Sequence, residues 1–350
     1  MKHILLAVLV LCVAGLASTG EAQGSKFSGY LAPNLRVIDK GEGNSSNIGF
    51  GMAFNRFTFS GEVDAGAIVK KVAWSVEADM SQTGDIVLQN AFVIPRFSDA
   101  LSLRFGHVKK AFSREVLHPT GKLLTVDRSP ASSNLKTLGY SDYNYGLELM
   151  LAHPRLRFTA GAYSGSPVDK DVPDQDPKLD FGARAVVNLT PCLEVGANAM
   201  MVGLIDPASA SPHSEDAEVN SGMAFGFDLG LNRDIGNRNL QALVEFGTGD
   251  NTAAVQNPTD AFEDWDFDKF QYYTAKALFK LAPEFGVHFG YSVWDPNTDT
   301  DDDGSTVMTP GLTYFWSKTL RTQVEAQLVS YENENMDSLT HLVLQQVFLW

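Results

Sequence analysis

From Phe27 to the C-terminal Trp350 one pattern recurs: short runs of alternating apolar and polar residues, rich in Phe, Tyr, Val, Leu and Gly, separated by acidic, Asn- and Pro-containing connections. Alternation with a period of two puts successive side chains on opposite faces of a β-strand, so each run has one greasy and one hydrophilic face. No amphipathic helix of useful length interrupts the series. Counting the runs gives about sixteen strands, at 26–39, 47–60, 68–80, 85–97, 101–109, 139–151, 155–164, 178–189, 193–205, 219–232, 239–248, 267–281, 285–295, 304–316, 320–331 and 338–350. Nearly all reach the nine or so residues that a tilted strand needs to cross a bilayer. An all-β chain of this length has to close on itself or stack its sheets, because open strand edges pair with whatever they meet.

The hydrophilic faces carry charge in the middle of the strands. In the third run Val72, Trp74, Val76 and Ala78 oppose Lys71, Ser75, Glu77 and Asp79; in the eighth Leu179, Phe181, Ala183, Ala185 and Val187 oppose Asp180, Gly182, Arg184 and Asn188. A soluble sandwich also alternates. The strand count, behind an N-terminal leader and without disulfides, favours a transmembrane antiparallel β-barrel with lipid on the apolar face and water on the polar one. The leader is 1–22: Lys2 and His3 are basic, 4–16 is apolar, and Gly20, Glu21 and Ala22 form a small-residue cleavage site. Its apolar core is shorter than the ~20 residues of a membrane-spanning helix. Cys12 falls inside the leader, so Cys192 is the single mature thiol and cannot form an internal bridge. No Pro/Ser-rich or Gly/Ser-rich spacer divides 23–350, which is expected to be one barrel domain.

The connections alternate in length. Those at 98–100, 152–154, 190–192, 282–284 and 317–319 are tight turns, whereas 165–177, 206–218, 249–266 and 296–303 are longer, as in a barrel whose strands end in short turns at one rim and surface loops at the other. The longest, 110–138, is the third surface loop in this count, and a 29-residue connection between adjacent strands needs a functional reason. Between 101 and 138 lie Arg104, Lys109, Lys110, Arg114, Lys122, Arg128 and Lys136 against only Glu115 and Asp127, a local excess of +5 in a chain of formal charge −15. Cations gathered between low-dielectric walls focus the field where an anion passes or binds. The alternative is a solvated basic loop that balances nearby acid.

The segment Leu103-Arg104-Phe105-Gly106-His107-Val108-Lys109-Lys110-Ala111-Phe112-Ser113-Arg114-Glu115-Val116-Leu117, followed by Leu124-Thr125-Val126-Asp127-Arg128-Ser129, resembles the phosphate-selective porin O and P family of Gram-negative outer membranes. Members end a strand in R-x-G-x-x-K, continue with P-F-S-x-E-x-L and carry a later Glu-Arg-Ser; here Ala111 replaces the Pro and Asp127 the Glu. The resemblance implies a homotrimeric, sixteen-stranded outer-membrane porin whose third loop folds into the lumen. It implies passive diffusion of small hydrophilic solutes, with anion or phosphate preference as a further expectation. Arg104, Lys109, Lys110, Arg114, Lys122 and Arg128 are then the residues expected to line the constriction and contact anions, since guanidinium forks and ammonium groups can replace water around phosphate or carboxylate. The last strand, ending with Phe348 and Trp350 on one face, resembles the C-terminal signal read by outer-membrane assembly machinery, although Gln346 interrupts that apolar face. Outer-membrane lipid and lipopolysaccharide are the expected surroundings.

Asp299, Asp301 and Asp303 before Gly304 are similar to a calcium loop, but the twelfth position is Pro310, which leaves at most a weak divalent-cation loop. The histidines are scattered, and neither a nucleophile elbow nor a zinc-protease motif is present. No cofactor, structural metal or nucleic-acid partner is expected, and no enzymatic activity. Two other readings stay open: a structural or adhesive barrel with a plugged lumen, and a barrel enzyme with a catalytic cluster at one rim.

Overall fold

A computed structural model describes residues 23–39, 46–80, 86–165, 179–205, 219–252, 268–333 and 336–350. The leader 1–22 and most of the connections expected at 165–177, 206–218 and 249–266 lie outside the described residues. The strands are β1 (Gln23–Asp39), β2 (Asn47–Asp64), β3 (Lys71–Met80), β4 (Ile86–Arg96), β5 (Leu101–Lys109), β6 (Tyr143–His153), β7 (Leu156–Ser164), β8 (Leu179–Thr190), β9 (Leu193–Ile205), β10 (Val219–Ile235), β11 (Arg238–Asp250), β12 (Lys269–Lys280), β13 (Phe285–Asp295), β14 (Ser305–Met308), β15 (Gly311–Phe315), β16 (Leu320–Tyr331) and β17 (Leu339–Leu349). Except between β14 and β15, each pairs antiparallel with its sequence neighbours, and β1 pairs with both β2 and β17, so the sheet closes. β14 and β15 are two halves of one stave, because both pair with β13 and with β16. The break falls at Thr309 and Pro310, where proline supplies no N–H to the ladder. The result is a closed sixteen-strand antiparallel barrel.

Burial runs opposite to that of a soluble protein. On β8 Asp180 is 1% exposed while its neighbour Phe181 is 48% exposed, and on β11 Glu245 is 1% exposed beside Phe246 at 36%. Apolar side chains therefore point out of the ring and polar ones into it, the arrangement in which a lipid-facing charge would cost roughly 2–4 kcal/mol at mid-bilayer. Gln346, on the outward face, is satisfied locally: Thr322 Oγ1 donates to its Oε1 at 2.6 Å, and its Nε2 donates to the Arg321 carbonyl at 3.0 Å. Trp350 closes the seam between first and last strands through reciprocal 3.2 Å backbone bonds with Gly29.

The strand limits differ from the sequence reading where turn chemistry decides. The run expected at 68–80 begins at Lys71, because Ala65 N–H closes the preceding turn on the Lys70 carbonyl. β10 and β11 are longer than expected and meet at a two-residue turn whose Gly236 has φ +63°, the left-handed value that such hairpins need. The run expected at 139–151 begins only at Tyr143. Residues before it belong to the long connection, which is more ordered than its lack of periodicity suggested: a short helix at Arg114–Leu117, a 3-10 turn at Thr120–Lys122 and a helix at Pro130–Thr137 with proline at its first turn.

Candidate functional site

The connection between β5 and β6 folds into the ring, and its partners trace the inner wall. Within β5, which stays paired with β6 as far as Lys109, Gly106 has φ +136° and a Cβ there would fall 2.2 Å from the Ala91 carbonyl oxygen, so glycine alone fits. Lys110 then forms an ion pair with Asp180 on β8 and donates to the Gly139 carbonyl at 2.7 Å. Arg114 reaches Glu194 on β9 at 2.8 Å and Asp228 on β10 at 3.3 Å, in space left by Gly230, whose Cβ would lie 2.1 Å from the guanidinium. Glu115 N–H donates to Glu245 on β11 at 2.9 Å, and its carboxylate pairs with Lys276 on β12 at 2.5 Å. Val126 N–H donates to Glu325 on β16 at 2.8 Å, and Asp127 accepts two bonds from Arg36 on β1, at 2.8 and 2.9 Å.

Behind these polar ties lies a dry core. Phe112, Ala131, Leu135, Leu138 and Tyr140 of the connection pack with Tyr163, Met200, Val202, Ala224, Phe270, Tyr272 and Trp294 of the wall. Phe270 and Trp294 stack at 5.1 Å, and Tyr140 lies 5.7 Å from Phe270. The inward faces of β8–β13 and of β16–β17 are accordingly buried almost throughout. Those of β3 and β4 are half-open along most of their length, as the burial of Lys71, Ser75, Glu77, Asp79, Asn90 and Phe92 records. The open space is therefore off-centre, against β3–β7. A cavity of about 620 Å³ lies against that wall towards the short-turn rim, lined by Lys71, Arg96, Ser102, Met150, Arg157 and Thr159 among others.

The six cations singled out in the sequence divide into four groups. Lys110 is buried, and Arg114 is spent on two acids; both hold the connection to the wall rather than facing the open side. Arg104, on the inner face of β5, pairs with Glu148 and covers the Phe92 ring at 5.5 Å. Lys109 and Arg128 have no carboxylate partner among the described residues. Lys109 Nζ donates to the Val116 carbonyl at 2.8 Å and lies 5.0 Å over the Tyr143 ring. Arg128 donates to the His118 carbonyl at 2.7 Å, to the Glu115 carbonyl at 3.2 Å and to Thr120 Oγ1 at 3.1 Å. Burial lowers its pKa from the guanidinium range, Glu115 opposes that shift and the nearby Arg56 charge adds to it. Lys122 is exposed on the 3-10 turn.

Sequence reasoning missed Arg56. It sits on the inner face of β2, donating from Nε to Asp79 at 2.7 Å and from Nη1 to Glu77 at 3.3 Å and to the Tyr143 hydroxyl at 3.4 Å. Its guanidinium lies 5.7 Å from the ring centroids of both Tyr30 and Phe54. An inward-facing arginine between aromatic residues was the available signal. His118 was also passed over: its Nε2 lies 2.8 Å from the Lys122 carbonyl, which ties the tip of the connection together. Burial lowers its pKa, the Lys122 carbonyl opposes this, and Arg114, Arg128 and Lys122 lower it further.

Asp299, Asp301 and Asp303 are exposed and do not converge; among the described residues no group of three His, Cys, Asp or Glu side chains could hold a metal ion. The turn carries Asp302 at φ +69°, and Glu332 accepts from the Gly304 N–H at 3.2 Å.

The profile of the family described as phosphate-selective porin O and P matches residues 34–251. Comparison with curated protein sequences gives no match. Among solved structures, the anion-selective porin from Comamonas acidovorans is similar with a TM-score of 0.66 and 12% identity, covering 93% of this chain and 99% of that one. The outer membrane channel DcaP of Acinetobacter baumannii gives 0.68 and 11%, over 93% and 97% of the two chains. OmpT of Vibrio cholerae in its trimer form gives 0.61 and 13%, over 93% and 99%.

Proposed function

The chain belongs to the phosphate-selective porin O and P family, and on that premise we propose that this outer-membrane porin passes small anions through an off-centre channel between the inward-folded connection and β3–β7. The observation that carries the anion preference is the pair Lys109 and Arg128, both half-buried and bonded to carbonyls and a hydroxyl instead of to acids. A cation whose neighbours are carbonyl dipoles is not neutralised by an adjacent carboxylate, whereas one in an ion pair is. Several such contacts of moderate strength let an ion enter and leave, where one tight site would trap it.

The fold and family point to a channel rather than an enzyme. We further propose a homotrimer, by analogy with the trimer form of OmpT, and export through a leader cleaved near Ala22. Outer-membrane lipid and lipopolysaccharide surround the ring, and the terminal Trp350 serves assembly. Planar-bilayer recordings across a salt gradient test the central point. A reversal potential of the sign set by chloride is expected. A strong cation preference overturns the anion reading, and absence of conductance supports a plugged structural barrel.

A further inference from the structure

The aromatic rings next to the open space differ in state from those elsewhere in the lumen. On the packed side Phe112, Tyr140, Phe270 and Tyr272 are buried in the dry core. On the inner faces of β1, β2 and β4 and at the start of β6, Tyr30, Phe54, Phe92 and Tyr143 are each only half-buried. Each of these four rings lies under a cation: Arg56 over Tyr30 and Phe54, Arg104 over Phe92, and Lys109 over Tyr143. Tyr30 and Phe54 also meet edge-on at 6.2 Å. A solute on this path meets apolar ring surface and positive charge together.

The hydrogen-bonding capacity of these cations is limited. Arg56 commits its Nε and Nη1 edges to Asp79, Glu77 and Tyr143, Arg104 is held by Glu148, and Lys109 already donates to a carbonyl. Inorganic phosphate is strongly hydrated, carries close to two charges near neutral pH, and needs many donors to replace its water. Here it would find few free donors and would face Glu77, Asp79 and Glu148. A monocarboxylate on a flat ring needs only a donor or two for its single charge. Its ring gains by covering half-exposed aromatic faces and by stacking beside guanidinium planes.

We infer that the channel favours organic anions carrying an aromatic ring, with an aryl monocarboxylate as the simplest case, over inorganic phosphate. This rests on the anion reading above and specifies its solute. The cavity towards the short-turn rim repeats the combination, placing Lys71, Arg96 and Arg157 beside Ile94 and Met150. Its volume suits a small organic molecule.

The test uses the full-length porin in planar bilayers, with chloride current blocked in turn by benzoate, acetate and phosphate. Benzoate is expected to half-block at a concentration roughly fivefold or more below acetate and below phosphate, the scale of one aromatic contact. In Phe54→Leu and Tyr30→Leu channels the benzoate-to-acetate ratio should fall towards one. If benzoate is no better than acetate, or phosphate blocks more strongly, in an anion-preferring channel, this inference alone is overturned. So is it if the ratio survives both substitutions. A cation-preferring reversal potential would instead overturn the reading beneath it. The wild-type comparison decides even if a substituted channel fails to assemble.

Discussion

Glu115 on the inward-folded connection and Lys276 on β12 lie 2.5 Å apart, both nearly inaccessible to solvent. Ser129 N–H at 2.9 Å and Ser132 Oγ at 2.9 Å complete the carboxylate's shell, and Lys276 Nζ also donates to the Asp127 carbonyl at 2.8 Å. Burial alone would raise the pKa of Glu115; Lys276 and Ser129 overcome it and hold the carboxyl below its usual range. This pair joins both arms of the connection to the wall.

Lys276→Met should therefore leave a buried, unpaired carboxylate and weaken the folded barrel by about 3–5 kcal/mol, with noisier open-channel current as the connection loosens. Replacing Glu115 by Leu in the same chain should recover much of that loss. Urea unfolding in lipid and single-channel recording measure the two effects. If Lys276→Met unfolds at the wild-type midpoint, the pair does not hold the connection.

Lys109 and Lys110 are adjacent in sequence but should behave differently. Lys109→Gln is expected to reduce the anion-to-cation permeability ratio roughly fivefold, about 1 kcal/mol, as removal of one nearby charge in a partly screened site implies. Lys110→Met should instead remove the buried ion pair with Asp180 and lower the unfolding midpoint. Reversal potentials and urea midpoints on both variants would show equal behaviour if this division is wrong.

Acidification should raise anion preference through His118. Its pKa is depressed, so the ring is neutral at pH 7 and takes up a proton only as pH falls below the ordinary histidine value of about 6.5. Glu115 stays ionised through that window because its own pKa is lowered. The unfolded chain binds the proton at higher pH than the folded one, so stability falls with pH over the same range. The permeability ratio recorded between pH 7 and pH 5 should climb in the wild type and flatten in His118→Gln. Identical profiles would exclude the ring.

The exposed carboxylates of 299–303 should be silent. Changing Asp299, Asp301 and Asp303 together to Asn is expected to leave unfolding in calcium and in chelator alike, since the three do not converge. A calcium-dependent midpoint lost in the triple variant would contradict the geometry.

The staves were legible because one face of nearly every one is continuously apolar, and a one-residue slip would turn it inward. The length and charge of the connection likewise marked it out, and the resemblance to the porin family implied its inward fold. What could not be read was which cations are spent. Asp180, Glu194, Asp228 and Glu245 lie on inward faces far along the chain from Lys110, Arg114 and Glu115, and only the register of the closed sheet brings them together. Arg56 stayed hidden for the converse reason: an inward-facing arginine between aromatic residues is only a faint local mark, and its importance comes from Lys109 and Arg128 arriving beside it.

Among the described residues most ties of the connection run from β7 and β8 round to β16 and β1, so the ring has a long arc that holds it and a shorter one, β2–β6, that carries few of them. Substitutions along β2–β6 are expected to alter what the channel admits while disturbing few of the contacts that hold the connection. Related channels can therefore diverge in diet along that arc while sharing a frame, so family resemblance centred on the bound connection says more about architecture than about cargo.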